Sequence, residues 1–165
     1  MKVGIVMGSS SDLEVAKKVA KTLTFFEIEW EMEVISAHRT PDRAIDYAKD
    51  AKKHGIGVIV ALAGKAAHLG GVIAACTNIP VIGIPIKTSM MGGLDSLLSM
   101  VQMPKGVPVA TVAVDGGENA AILAAQILGL NNSEIEIKLA KHKEKLKEDV
   151  ELMNKEVENF KGDLS

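Results

Sequence analysis

Ile56-Gly57-Val58-Ile59-Val60-Ala61-Leu62 is an unbroken apolar run that leads into Ala63-Gly64. Its length suits a strand rather than a helix, and it shows no alternation between apolar and polar residues. A strand that is apolar at every position is covered on both faces, as in a parallel sheet held between layers of helix. The runs Lys2–Met7, Val81–Ile84 and Val107–Val114 read the same way. A further run, about Glu29–Ile35, is weaker because charges alternate through it. Between these runs, the spacing predicts helices near Asp12–Thr24, Pro41–His54, Ala66–Thr77, Leu94–Gln102 and Glu118–Leu128. Alternating strands and helices imply right-handed crossovers and a parallel sheet, hence an α/β chain.

Residues 133–161 stand apart. Leu139, Leu146, Val150, Met153, Val157 and Phe160 form one apolar stripe on a long, heavily charged helix. Such a helix either folds over its own sheet or packs on another subunit. The expected architecture is a three-layer, flavodoxin-like parallel sheet with a long C-terminal helix. Residues 1–165 are expected to form a single catalytic domain, with the α/β core over 1–130 and the helix 133–161 at a subunit interface.

Composition removes several classes of function. A length of 165 residues suits one domain, and an apolar content of 47% supplies a sizeable core. Aromatic residues make up only 3%, which argues against stacking platforms for single-stranded nucleic acid. A net charge of -2 leaves no global basic footprint for nucleic acid. No apolar run approaches the ~20 residues of a membrane helix. The first residues read directly into a strand, with no basic segment and no cleavage site. Cys76 is the single cysteine, which rules out an intrachain disulfide and fits a reducing compartment. Within Ala74-Ala75-Cys76-Thr77 it reads as packing rather than as a nucleophile. The expectation is a soluble, cytoplasmic protein with neither nucleic-acid nor membrane partners.

The chemistry lies on the loops that follow the strands, where open α/β sheets build their sites. Ser36-Ala37-His38-Arg39-Thr40-Pro41 follows the second strand. Thr40-Pro41 reads as an N-cap and a first-turn proline. His38 and Arg39 are not explained by capping. An imidazole that gives and takes a proton stands beside a guanidinium that keeps its charge, which suits a small anionic substrate. Gly8-Ser9-Ser10-Ser11-Asp12 follows the first strand. Its hydroxyls and helix-terminal amides suit a phosphate, and Asp12 suits sugar hydroxyls. Ser11 with Glu14 fits a capping box equally well. Neither a dinucleotide fingerprint nor a P-loop is present.

After the third strand, Ala63 to Gly71 combine small residues with Lys65 and His68. His68 divides evenly between a ligand contact and a satisfied interior imidazole. His54, before Gly55, and His142, in the charged tail, read as structural. The fourth loop, Ile86 to Ser96, is rich in Met and Gly and fits a lid or an interface. Lys105 reads as a solvated lysine. No Cys/His cluster has metal-ligand spacing, and no carboxylate pair of the glycosidase type is visible.

Four motifs occur in one order: Gly8-Ser9-x-Ser11-Asp12, Ser36-Ala37-His38-Arg39-Thr40-Pro41, Ala66-Ala67-His68-Leu69, and Gly93-Leu94-Asp95-Ser96-Leu97 with Val101-Gln102-Met103-Pro104. Together they resemble the N5-carboxyaminoimidazole ribonucleotide mutases, within the aminoimidazole ribonucleotide carboxylase family. The likeness runs from the first strand to about Leu128. It implies conversion of N5-carboxyaminoimidazole ribonucleotide to 4-carboxy-5-aminoimidazole ribonucleotide in de novo purine (IMP) biosynthesis, by decarboxylation and recarboxylation. It implies no metal or other cofactor, a small-molecule ribonucleotide as substrate, and a homo-octamer. It gives His38 the acid/base role, Ser9, Asp12 and Arg39 substrate contacts, and Ser11 and Ser36 phosphate donors. His68 would border the carboxylate. Lys65 departs from the family, which usually has Gly there. It would pair with the carboxylate or point to solvent, and a positive φ would strain it. A direct carboxylase of the same family, typically Ser-Ala-His-Lys in the second motif, is the nearest alternative. A non-catalytic nucleotide-binding module is the alternative of another class.

Overall fold

The computed structural model describes residues 1–163, and its side chains are described through Phe160. Five parallel strands alternate with helices: β1 (Lys2–Met7), α1 (Leu13–Phe25), β2 (Trp30–Val34), α2 (Pro41–Asp50), β3 (Ile56–Ala63), α3 (Leu69–Cys76), β4 (Val81–Pro85), α4 (Leu94–Val101), β5 (Ala110–Thr111), α5 (Gly117–Gly129) and α6 (Ser133–Asp163). The strand order is β2-β1-β3-β4-β5. The chain leaves β1 toward one edge and returns to β3 on the other side. The order of connection therefore reverses between the parallel strands β1 and β3, and the crevice above their carboxyl ends is where doubly wound sheets bind ligands.

The burial pattern explains the layers. Val3, Ile5, Val58, Val60, Leu62, Ile82 and Ile84 point to one face and meet Val19, Leu23 and the alanines of α1 and α5. Val6, Ile59 and Ala61 point to the other and meet Ala44, Ala48, Ile73 and Met100 of α2, α3 and α4. Both faces of the central strands are dry, as their unbroken apolar sequences require. Each large aliphatic side chain buried this way contributes about 1.5–3 kcal/mol. β2 is half-exposed, which accounts for its alternating charges.

Several boundaries differ from those expected. β5 pairs with β4 only through Ile82↔Ala110 and Gly83↔Thr111, although the apolar run spans 107–114. Pro108 carries no N–H, so this edge strand starts late. α2 ends at Asp50, and a turn carries the chain to Gly55 at φ 77°. α3 starts at Leu69, after a loop in which Lys65 takes φ 57°. The first half of α6 docks on the core: Ile135 is buried, Lys138 pairs with Glu27 at 2.6 Å, and His142 meets Phe26 edge-on at 5.6 Å. Beyond it, Leu146, Val150, Met153, Val157 and Phe160 are all more than half exposed. No helix among the described residues is long and apolar enough to cross a membrane.

Candidate active site

The loops after β1, β2, β3 and β4 surround a cavity of about 950 Å³. Ser9, Ser11, Asp12, Ser36, His38 and Arg39 all line it. His68 is not part of the lining and reaches the site through His38. His54 lies away from the cavity, in a polar groove beside α2.

The loop after β1 is not the capping box its sequence allows. Residues Ser10–Asp12 form a turn of 3-10 helix, and the Ser9 hydroxyl accepts from the Ser11 N–H at 3.3 Å. The Ser11 hydroxyl donates to Asp12 Oδ1 at 2.9 Å, and Glu14 pairs with Lys17 at 2.7 Å. Ser11 and Glu14 thus turn away from each other. Asp12 is buried, and that burial raises its carboxyl above the ordinary value. The Ser11 hydroxyl and a Ser9 backbone hydrogen bond pull it partly back, while the charge of Asp115 adds to the rise.

The loop after β2 is held by its own hydroxyls. Thr40 does not cap α2 with its side chain. Its hydroxyl donates to the Ser36 carbonyl at 3.0 Å and accepts from the Ser36 N–H at 3.2 Å. Pro41 does occupy the first turn, as expected. The Ser36 hydroxyl accepts from the Arg39 backbone N–H at 3.2 Å and from Arg39 Nε at 3.3 Å. Arg39 Nη2 donates to the Gly8 carbonyl at 3.1 Å. The guanidinium therefore spans the first two loops, and Ser9 and Ser11 line the same cavity.

His38 Nε2 lies 3.0 Å from His68 Nδ1, with ring planes inclined at 68°. One of these two nitrogens carries the proton and the other accepts it, so each ring fixes the tautomer of the other. This contact joins the loops after β2 and β3 across the switch point. Their sequence positions give no sign of it.

The fourth loop is anchored at both ends. The Lys87 N–H donates to Asp115 Oδ1 at 2.9 Å, and the Thr88 hydroxyl donates to Asp95 Oδ1 at 2.6 Å. The Ser96 hydroxyl lies 2.7 Å from the Ile86 carbonyl and 2.8 Å from that of Gly93. Between the anchors, Met91, Gly92 and Gly93 take φ of 45°, 69° and 101°. Sequence reasoning assigned no role to Asp115, which itself takes φ 56°. The available signal was an Asp before Gly116-Gly117 at the start of a helix, which reads as an ordinary turn. Among the described residues, no group of three or more His, Cys, Asp or Glu is arranged to hold a metal ion.

Residues 2–149 match the model of the family described as AIR carboxylase. The chain is 60% identical over 146 residues to the N5-carboxyaminoimidazole ribonucleotide mutase of Pyrococcus abyssi, covering 88% of this chain and 84% of that one. It is 56% identical over 149 residues to the mutase of Thermotoga maritima, covering 90% and 87%. A crystal structure of Treponema denticola PurE superposes with a TM-score of 0.81 at 29% identity, covering 90% of this chain and 92% of that one.

Proposed function

The chain belongs to the AIR carboxylase family, and from that premise we propose how its site works. The protein is a mutase of purine biosynthesis: it converts N5-carboxyaminoimidazole ribonucleotide to 4-carboxy-5-aminoimidazole ribonucleotide. The residue roles are our reading, and the observation that carries them is the sharing of one cavity by His38, Arg39 and the Ser9–Asp12 loop.

The substrate carries a phosphate at one end and a carbamate at the other. Arg39 and the hydroxyls of Ser9, Ser11 and Ser36 hold the phosphate, because a fixed guanidinium and clustered donors suit a dianion. Asp12 accepts from the ribose hydroxyls. The carbamate C–N bond breaks, CO2 is released, and protonated His38 gives its proton to the departing amine. The ring carbon, which is enamine-like, then attacks CO2. Neutral His38 removes the proton that this carbon still carries, and the cycle closes with no net gain or loss of protons. His68, bonded to His38, keeps the ring oriented through both transfers. CO2 must not escape or hydrate meanwhile, which suits the anchored fourth loop as a cover.

We assign the enzyme to the cytoplasm, since its phosphorylated substrate does not cross membranes. We further propose a homo-octamer, supported by the apolar positions that α6 leaves exposed. The test of the activity is direct. Purified protein given the carbamate substrate, without ATP or added metal, should form the carbon-linked carboxylate, followed by absorbance or NMR. No conversion above the spontaneous rate would overturn this function.

A further inference from the structure

Lys65 is the one cavity-lining residue whose backbone and side chain conflict. It takes φ 57°, a left-handed conformation that glycine adopts freely and that a lysine Cβ resists. Strain of this kind persists where the surroundings over-determine it, and it concentrates at ligand sites.

The charges around it give the strain a purpose. Arg39, Lys65 and Lys87 all line the cavity. Among the described residues, none of the three has a carboxylate partner within 4.0 Å. The acids of the same cavity are occupied: Asp12 accepts from Ser11, and Asp95 from Thr88. The strand order also separates the cations. Arg39 follows β2 and reaches the loop after β1, whereas Lys65 follows β3 and Lys87 follows β4. The cavity thus draws its cations from loops on both sides of the switch point, and the His38–His68 contact joins the loops that carry Arg39 and Lys65.

We propose that the Lys65 side chain is a specificity-determining group: its ammonium holds the carboxylate that moves, at the end of the cavity opposite the phosphate. This rests on the mutase reading above. It makes Lys65 the group by which this site tells the carboxylated nucleotide from the same nucleotide without its carboxylate. The ammonium is a point charge on a flexible stem, so it can follow the carboxylate from nitrogen to ring carbon without a fixed fork of donors.

The test compares binding of two ligands, 4-carboxy-5-aminoimidazole ribonucleotide and 5-aminoimidazole ribonucleotide, by calorimetry. They share the ribose phosphate and differ only in the carboxylate. Lys65→Gly relieves the backbone conflict, so it should fold and melt at or above the wild-type temperature. It should lose about tenfold of the preference for the carboxylated ligand, the low end of what a hydrogen bond to a charged group supplies. Binding of the decarboxylated ligand should stay within about twofold of wild type. Lys65→Arg, which keeps the charge, should retain most of the preference. A preference unchanged in Lys65→Gly, or equal loss for both ligands, would overturn the proposal while leaving the mutase reading intact. Wild-type protein that binds neither ligand would overturn both.

Discussion

Arg39 concentrates the binding argument in one side chain. Its guanidinium is fixed by Ser36 and Gly8 before any ligand arrives, so little ordering remains to be done on binding. Arg39→Ala is expected to weaken substrate binding by about 1.5–3 kcal/mol, measured by calorimetry. Unchanged affinity would move the phosphate elsewhere. In the proposed mechanism His38 carries the chemistry rather than the affinity. His38→Asn should keep ligand binding and lose about 10²–10⁴-fold in turnover. If turnover stays near normal, the proton shuttle lies elsewhere, and His68 at 3.0 Å is the first candidate. If Asp12 holds the ribose as proposed, its burial is a cost accepted for binding. A carboxyl whose value is raised in the fold binds its proton more tightly folded than unfolded, so its ionisation at neutral pH lowers stability. That loss disappears as pH falls through the raised value. Asp12→Asn should therefore melt higher than wild type at pH 7, with the gain shrinking on acidification, while substrate binding falls. A gain that does not change with pH would mean that ionisation is not its cause.

At the scale of elements, the fourth loop is the part of the site most dependent on backbone geometry. Gly93 sits at φ 101°, and a Cβ there would lie 3.1 Å from both Lys87 Cα and Val114 Cγ1. Gly93→Ala is expected to destabilise the protein by about 1–3 kcal/mol and to reduce turnover, because α4 would no longer start where Ser96 can hold Ile86. A variant with wild-type melting temperature and turnover would show that the loop absorbs the change. This loop also marks where sequence reading stops. Unbroken apolar runs identified β1, β3 and β4 within a residue, because burial on both faces leaves no other composition. β5 was legible as an apolar run but not as a short strand, since its pairing depends on Pro108 and on a neighbouring strand. Local motifs suggested caps at Ser11 and Thr40. The hydroxyls instead donate to the Asp12 carboxylate and the Ser36 carbonyl, acceptors that the loop's own turn supplies. That Ser9, Ser11, Asp12, His38 and Arg39 line one cavity was readable from their places on the loops after β1 and β2. The His38–His68 contact and the hold of Asp115 on Lys87 were not, because they join residues 30 and 28 positions apart across different loops.

At the scale of the whole molecule, α6 sets the main question. Its first half is fixed to the core through Ile135, Lys138 and His142, whereas its second half leaves a stripe of apolar side chains uncovered. An apolar stripe of that length is stable in water when another surface covers it. Light scattering at micromolar concentration should give a mass well above the 17.5 kDa of one chain. Deleting the residues after 143 should lower the assembly or its melting temperature. An unaffected oligomer would assign the interface to other helices. The mutase and the direct carboxylase differ in what they do with one carboxylate. If the site moves it within a closed cavity, its carbon stays with the substrate. If the site is a direct carboxylase, its carbon comes from solution. The decisive measurement supplies N5-carboxyaminoimidazole ribonucleotide labelled in its carbamate carbon, with unlabelled bicarbonate in excess, and follows the label into the product by NMR. Product that retains most of the label is the predicted result, and product that carries mainly solution-derived carbon would contradict it.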